Sequence, residues 1–173
     1  MWHINLSPYL VDALIATEDI RFRSHSGIDA RAIARAVKGL TGGGNSGGGS
    51  TVSQQLAKML FTKTASGNIV KRLVQKIKEW VIAIRLEKQY TKNEIITMYF
   101  NKYDFGHNAV GIRSAARIYF GKEPRDLKIE ESAVLVAMLK NPRQYNPQRE
   151  ISKAKSLQRR NIVLMQLEKN GKI

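Results

Sequence analysis

The 173-residue sequence contains no cysteine, which excludes a disulfide framework and any thiolate metal site while leaving the compartment open. Only four prolines are present and 43% of the residues are hydrophobic, a composition that argues against global disorder and for a packed core. No uninterrupted apolar run approaches about 18 residues, so no segment reads as a membrane-spanning helix. The first residues also lack the basic, apolar and small-residue order of a signal peptide. Both absences leave an anchor upstream of Met1 in a longer protein open. Acidic residues are scarce: 14 Asp and Glu stand against 29 Lys and Arg, for a formal charge of +15. Such an excess calls for nucleic acid, an anionic membrane face or a phosphate-bearing substrate, and charge alone does not separate the three.

Strand-type alternation is missing as well, so the expectation is a mainly α chain. Its length suits a single domain, residues 1–173, burying about two-thirds of its unfolded surface. Ser7-Pro8 reads as an N-cap and first helical residue, with Leu10, Val11, Leu14 and Ile15 following at helical spacing. That helix delivers Glu18 and Asp19 at its C-terminal end, within the stretch ATEDIRFRSHSGID (16–29). A carboxylate facing the negative pole of a helix can act as a base near neutral pH. Phe22 and the loop through His25 and Gly27 are placed to shield it, with His25 bracing the loop rather than moving protons. Asp29 reads as the N-cap of a helix from Ala30 to Leu40, with Ile28 and Ile33 as a staple, on which Arg31, Arg35 and Lys38 make one basic stripe.

Six glycines then fall within the eight residues Gly42 to Gly49, a loop that is mobile or approached closely. Thr51-Val52-Ser53-Gln54 fits a capping box, so a helix N-terminus with free N–H groups sits beside the Ser50 and Thr51 hydroxyls. The segment GNSGGGST superficially matches a P-loop, but Ser50 stands where the lysine belongs and no apolar strand precedes it. Nucleoside triphosphate binding is therefore rejected. Gln54, Gln55 and Lys58 point to sugar hydroxyls, amides and a phosphate.

Residues 59–75 read as a mobile, membrane-facing segment, led by Met59, Leu60 and Phe61. A helix over about Ile69 to Gln89 follows, with Val70, Leu73, Val74, Ile77, Trp80, Val81 and Ile84 expected on its buried face. Arg72, Lys76 and Glu79 line the opposite side, placing Lys76 one turn from Glu79. Thr91 to Glu94 forms another capping box, opening a helix that runs into Asn101. The loop YDFGHNAVG and three further helices complete the chain.

Five blocks in this order resemble the peptidoglycan glycosyltransferases of family 51, found alone or within class A penicillin-binding proteins. They are ATEDIRFRSHSGID (16–29), GGSTVSQQLAK (48–58), QKIKE (75–79), KNEIITMYFN (92–101) and AARIYFGK (115–122). The resemblance implies a mainly α, lysozyme-like fold with a smaller membrane-proximal jaw. It further implies an inverting, processive reaction in which the 4-hydroxyl of an acceptor GlcNAc attacks C1 of the lipid-linked donor MurNAc, releasing undecaprenyl diphosphate. Glu18 is then the general base, and Glu79 the second glutamate, assisting at the diphosphate. Asp19, Ser50, Thr51, Gln54, Gln55, Lys58, Lys71, Lys76 and Lys78 fall to substrate binding. Phe22, His25, Gly27 and Asn101 fall to positioning. No tightly bound cofactor is implied, with room for a divalent cation, Mg2+ or Mn2+, at Glu79. The implied partners are lipid II, the growing lipid-linked glycan, an anionic membrane surface and a transpeptidase domain or partner, with no nucleic acid. The implied location is the outer, periplasmic face of the bacterial cytoplasmic membrane.

Three positions depart from the family's pattern: Gln75 where arginine is usual, Thr97 where glutamate is common, and His107 where glutamine or asparagine is usual. They bear on substrate-binding detail rather than on the glutamate pair. Two other readings compete. A lysozyme-like hydrolase or lytic enzyme would use Glu18 as a general acid on an existing glycan, and a basic membrane- or nucleic-acid-binding module would leave the motif blocks unexplained.

Overall fold

The computed structural model describes residues 5–42, 49–61 and 68–173. They form α1 (Pro8–Glu18), α2 (Ala30–Gly42), α3 (Val52–Phe61), α4 (Ile69–Gln89), α5 (Lys92–Lys102), α6 (Ile112–Phe120), α7 (Ile129–Met138) and α8 (Glu150–Lys169), with single 3-10 turns at Phe22–Ser24 and Pro124–Asp126. Among the described residues there is no strand, only an isolated antiparallel bridge between Asp104 and Val110. The chain is mainly α, as expected. It divides into two compact units, one of Met1–Ile20 with Phe100–Ile173 and one of Arg21–Tyr99.

In the first unit α1 packs on α7 and α8, and α7 on α8. Leu10, Ala13 and Leu14 of α1 are fully buried, as are Leu135, Val136 and Met138 of α7 and Val163 of α8, so the apolar row of α1 is covered by protein as its spacing predicts. The start of α1 departs from expectation. Ser7 does not cap with its side chain; its hydroxyl donates instead to the Leu127 carbonyl at 2.9 Å, pinning the helix entry to the segment before α7. Pro8 has no N–H to cap, and the Ser7 carbonyl accepts the N–H groups of Leu10 and Val11. Tyr103 closes α7 by donating its hydroxyl to the Leu139 carbonyl at 2.6 Å. Burial, helped by the charges of Glu18 and Asp104, pushes that phenol well above its ordinary range, which keeps it a donor. The loop before α6 turns through His107 and Asn108 at positive φ. It closes with the Phe105 N–H on the Ala109 carbonyl. Gly111 has φ +80, and a Cβ there would lie 2.9 Å from the Asn101 carbonyl oxygen, so Asn101 and Gly111 meet backbone to backbone.

In the second unit α3 packs on α4. The caps follow the sequence reading. Asp29 accepts the Ala32 N–H at 3.1 Å at the start of α2 and is also held by the Arg21 guanidinium. Burial alone would raise the Asp29 carboxyl, but Arg21 and the α2 N–H groups outweigh it and hold the carboxyl below its usual range. Thr51 and Gln54 bond reciprocally, Gln54 N–H to Thr51 Oγ1 at 3.1 Å and Thr51 N–H to Gln54 Oε1 at 3.2 Å. Thr91 and Glu94 do the same at the start of α5.

The face of α4 is the main correction. Val70, Leu73, Val74, Ile77 and Val81, expected to be buried, are exposed, Leu73 at 63%. Trp80 and Ile84 are half-buried, and the buried residues of the helix are Glu79, Ala83 and Leu86. Helical periodicity identifies a stripe that avoids water, not the material that covers it. Here the small side chain of Ala83 admits neighbouring backbone, and the apolar row points away from the described protein.

Candidate active site

Each unit carries part of the expected set. In the first, Glu18 is the last residue of α1, and Asp19 follows as its C-cap, donating its N–H to the Ile15 carbonyl at 3.2 Å. The Asp19 side chain is buried. Because Leu10 and Leu14 anchor α1 on α7 and α8, the position of Glu18 is set by core packing one turn away rather than by a flexible loop. A residue that sequence reasoning missed lies beside it. Arg159 of α8 brings Nη2 to 3.9 Å from Glu18 Oε1, with the two side chains only 16% and 20% exposed. Its Nε is buried without a hydrogen-bond partner among the described residues. Within KAKSLQRR the arginine looks like part of a solvated basic face. The signal that could have found it is register: Ser152, Ser156, Val163 and Leu167 are the buried positions of α8, and Arg159 continues their three-and-four spacing.

The second unit assembles the rest. Lys76 Nζ donates to Ser50 Oγ at 2.9 Å and to Glu79 Oε2 at 3.1 Å. Glu79 is 4% exposed, so the stripe of charges predicted along α4 turns inward at its carboxylate. Ser50 accepts from the lysine, which leaves its own proton to donate elsewhere. The Thr51 hydroxyl donates to the Gly27 carbonyl at 2.7 Å and accepts the Gln54 N–H, and the residue is buried. Gln55 accepts from the Tyr99 hydroxyl at 3.0 Å. The Gln54 amide nitrogen is buried without a partner among the described residues. Lys58, Lys71, Arg72 and Lys78 are exposed on α3 and α4.

Phe22 is fully buried and meets His25 edge to face. His25 Nδ1 accepts the Gly27 N–H at 3.2 Å, which braces the turn. Gly27 has φ +94, and a Cβ there would lie 2.8 Å from the main chain of Ala83 in α4, so no other residue fits without a shift. Of the three departures, Thr97 back-bonds to the Asn93 carbonyl at 2.9 Å, His107 is exposed in its turn, and Gln75 is half-buried. The glycine loop at 43–48 and the stretch 62–67 of the expected mobile segment lie outside the described residues.

Among the described residues no three His, Asp or Glu side chains converge, and Glu79 carries a lysine ammonium. What the second unit can do is receive an anion, through a serine hydroxyl, an ammonium and a helix N-terminus. The first unit presents a carboxylate flanked by an arginine. Among the described residues no helix is long and apolar enough to cross a membrane.

Comparison with known proteins gives this arrangement a family. The family model described as Transglycosylase matches residues 3–168. The chain is 42% identical over 163 residues to penicillin-binding protein 1F of Bacillus subtilis, covering 94% of this chain and 22% of that protein. It is 40% identical over 169 residues to penicillin-binding protein 1A of Escherichia coli, covering 97% and 19%, and 40% identical over 166 residues to penicillin-binding protein 1A of Aquifex aeolicus, covering 95% and 22%. The chain thus spans about a fifth of the length of these relatives. A carboxylate at a helix end, a serine-lysine-glutamate cluster on the motif residues and a family match over nearly every residue agree: the chain belongs to the transglycosylase family and is a peptidoglycan glycosyltransferase domain.

Proposed function

We propose that the chain polymerises lipid II by inverting, processive transfer. Glu18 takes the proton from the 4-hydroxyl of the acceptor GlcNAc as that oxygen bonds to C1 of the donor MurNAc, and the bond from C1 to the diphosphate breaks as the pair of electrons leaves with it. Undecaprenyl diphosphate departs, Glu18 returns its proton to solvent, and the new β-1,4 linkage extends the chain. Arg159 holds the Glu18 carboxylate in place for this exchange.

The observation that carries the reading is Lys76 bridging Ser50 and Glu79. The departing diphosphate needs preorganised donors where its charge grows, and Ser50, Lys76 and the α3 N-terminus supply them. Glu79 is buried and orients the ammonium rather than meeting the phosphates itself. Lys58, Lys71, Arg72 and Lys78 add exposed positive charge on α3 and α4, which fits a lipid diphosphate and the anionic headgroups around it. Thr51 and Gln54 support the reading as the capping pair that presents the helix end.

The exposed row Val70, Leu73, Val74, Ile77 and Val81, with Ile69 at 81% and Phe61 at 62% exposure, is too contiguous for a surface facing only water. In this reading it rests in the lipid at the outer, periplasmic face of the cytoplasmic membrane, as part of a membrane-proximal jaw, and brings the domain to its lipid-linked substrate. A transpeptidase domain or partner accompanies it, in keeping with relatives of which this chain covers about a fifth. Diphosphate and headgroups together account for the positive charge, without nucleic acid.

Incubation with lipid II and separation of the products tests the mechanism. Wild type yields glycan polymer and Glu18→Gln yields none, a loss of at least ~100-fold for a general base. Polymer from Glu18→Gln at the wild-type rate, or cleavage of preformed glycan by the wild type, overturns it in favour of another base or a hydrolase.

A further inference from the structure

The second unit contains a buried charge cluster that the assigned roles leave unused. Lys92, the first residue of α5, donates from Nζ to Glu87 Oε2 at 2.5 Å and to the His25 carbonyl at 2.6 Å. The same ammonium sits 4.4 Å from the centre of the Phe22 ring, a cation-π contact. The other Glu87 oxygen accepts from Ser53 Oγ at 2.5 Å. The Glu87 side chain is 4% exposed and Ser53 is fully buried. Glu87 Oε1 also lies 3.9 Å from His25 Nδ1, but that nitrogen already accepts the Gly27 N–H.

The geometry ties three elements to one strap, residues 25–27. The His25 carbonyl is fastened to α5 through Lys92, the Gly27 carbonyl to the start of α3 through Thr51, and Gly27 itself lies against the α4 backbone. Glu87 closes the loop by holding Lys92 and the α3 residue Ser53 together. The N-terminal turn of α3 is therefore gripped twice, by the strap at Thr51 and by Glu87 at Ser53, and Ser50 leads directly into it.

A buried ion pair costs desolvation that a well-packed apolar pair avoids. Its retention in so small a core is most economically explained by what it aims. We propose that Lys92 and Glu87 are positioning residues for the diphosphate site: through the strap and Ser53 they hold the first turn of α3 where Ser50 and Lys76 meet the leaving group. The inference rests on the anion-site reading given above. Neither residue touches substrate.

The test uses the full chain with inorganic pyrophosphate as the binding probe and lipid II as the substrate. Four variants are compared with wild type: Ser50→Ala, Lys92→Met with Glu87→Gln as a pair, Lys92→Arg, and Lys92→Met alone. The paired variant removes both charges at near-constant volume and keeps the fold from carrying a lone buried carboxylate. Expected are a melting temperature for the paired variant close to wild type, pyrophosphate binding weakened at least tenfold, a raised KM for lipid II exceeding any change in kcat, and recovery of most of the loss in Lys92→Arg. A paired variant that binds pyrophosphate as wild type does, or whose binding falls only in step with its melting temperature, overturns the proposal. Ser50→Ala separates the two levels. If Ser50→Ala leaves pyrophosphate binding unchanged, the anion site itself is wrongly placed; if it weakens binding while the paired variant does not, only the positioning role fails.

Discussion

Helices α1 and α4 carry apolar rows of the same period and meet opposite fates. Leu10, Ala13 and Leu14 of α1 are sealed against α7 and α8, whereas Val70, Leu73, Val74 and Ile77 of α4 face outward and a glutamate takes the buried side. The difference lies in what each helix is for. The row on α1 anchors a carboxylate at the helix end, so it must be rigid. The row on α4 leaves the inward side free for Glu79 and Lys76, and its apolar surface remains available for a partner other than the protein core. An apolar stripe states a preference for leaving water; the neighbouring elements decide where it goes.

This contrast predicts different responses to the same chemical change. Leu14→Ala should destabilise the domain by about 2–5 kcal/mol, the usual range for a buried leucine, seen as a lower midpoint in denaturant unfolding. Leu73→Ala should stay within about 0.5 kcal/mol of wild type, as exposed substitutions do. Equal losses at the two sites would mean that the α4 row is covered by protein after all.

Function should reverse the order. Leu73→Glu combined with Ile77→Glu should leave the melting curve nearly unmoved yet weaken binding to vesicles containing anionic lipid by more than ~10-fold, since each buried aliphatic side chain is worth about 1.5–3 kcal/mol. Sedimentation with vesicles measures this, and unchanged binding would remove lipid as the material over α4.

Helices α1 and α2 also begin differently, which predicts a smaller effect. α1 starts without a charged cap, on Ser7 and Pro8, while α2 starts on the ionised Asp29. The Asp29 carboxyl is held below its usual range in the folded chain. Its stabilisation is therefore complete above the unfolded value near pH 4 and is lost as pH falls through the lower folded value. Asp29→Asn keeps a capping oxygen but removes the charge facing Arg21 and the α2 N-terminus, and should cost about 0.3–1 kcal/mol at pH 7, with the two unfolding curves converging as the solution is acidified. A cost that stays constant down to low pH would assign the effect to packing instead of charge.

How much of this was legible in the residues follows from range. Local rules worked: Thr51 with Gln54, Thr91 with Glu94, and Asp29 before Ala30 each define a helix start within four residues, and each is observed. The Lys76–Glu79 pairing was readable for the same reason. Contacts made across the chain were not. Nothing near Ser7 announces that its hydroxyl goes to Leu127, and Arg159 reaches Glu18 only because α8 packs on α1. Glu87 is not legible locally, since a glutamate next to Lys88 reads as surface, although its side chain is buried on Ser53 and Lys92. The α4 row is ambiguous because its period shows a preference for leaving water and not what covers it.

The contact between Gly27 and Ala83 involves main chain on the α4 side. Junctions built from peptide groups do not depend on which side chains surround them, so neighbours such as Arg23, Ser24 and Ser26 can be exchanged while the strap keeps its place. Mutational tolerance in this loop should accordingly be steep rather than graded, with wide freedom at its exposed positions and almost none at the glycine. A library randomised at residues 23, 24, 26 and 27 would return diverse sequences threaded through an invariant Gly27.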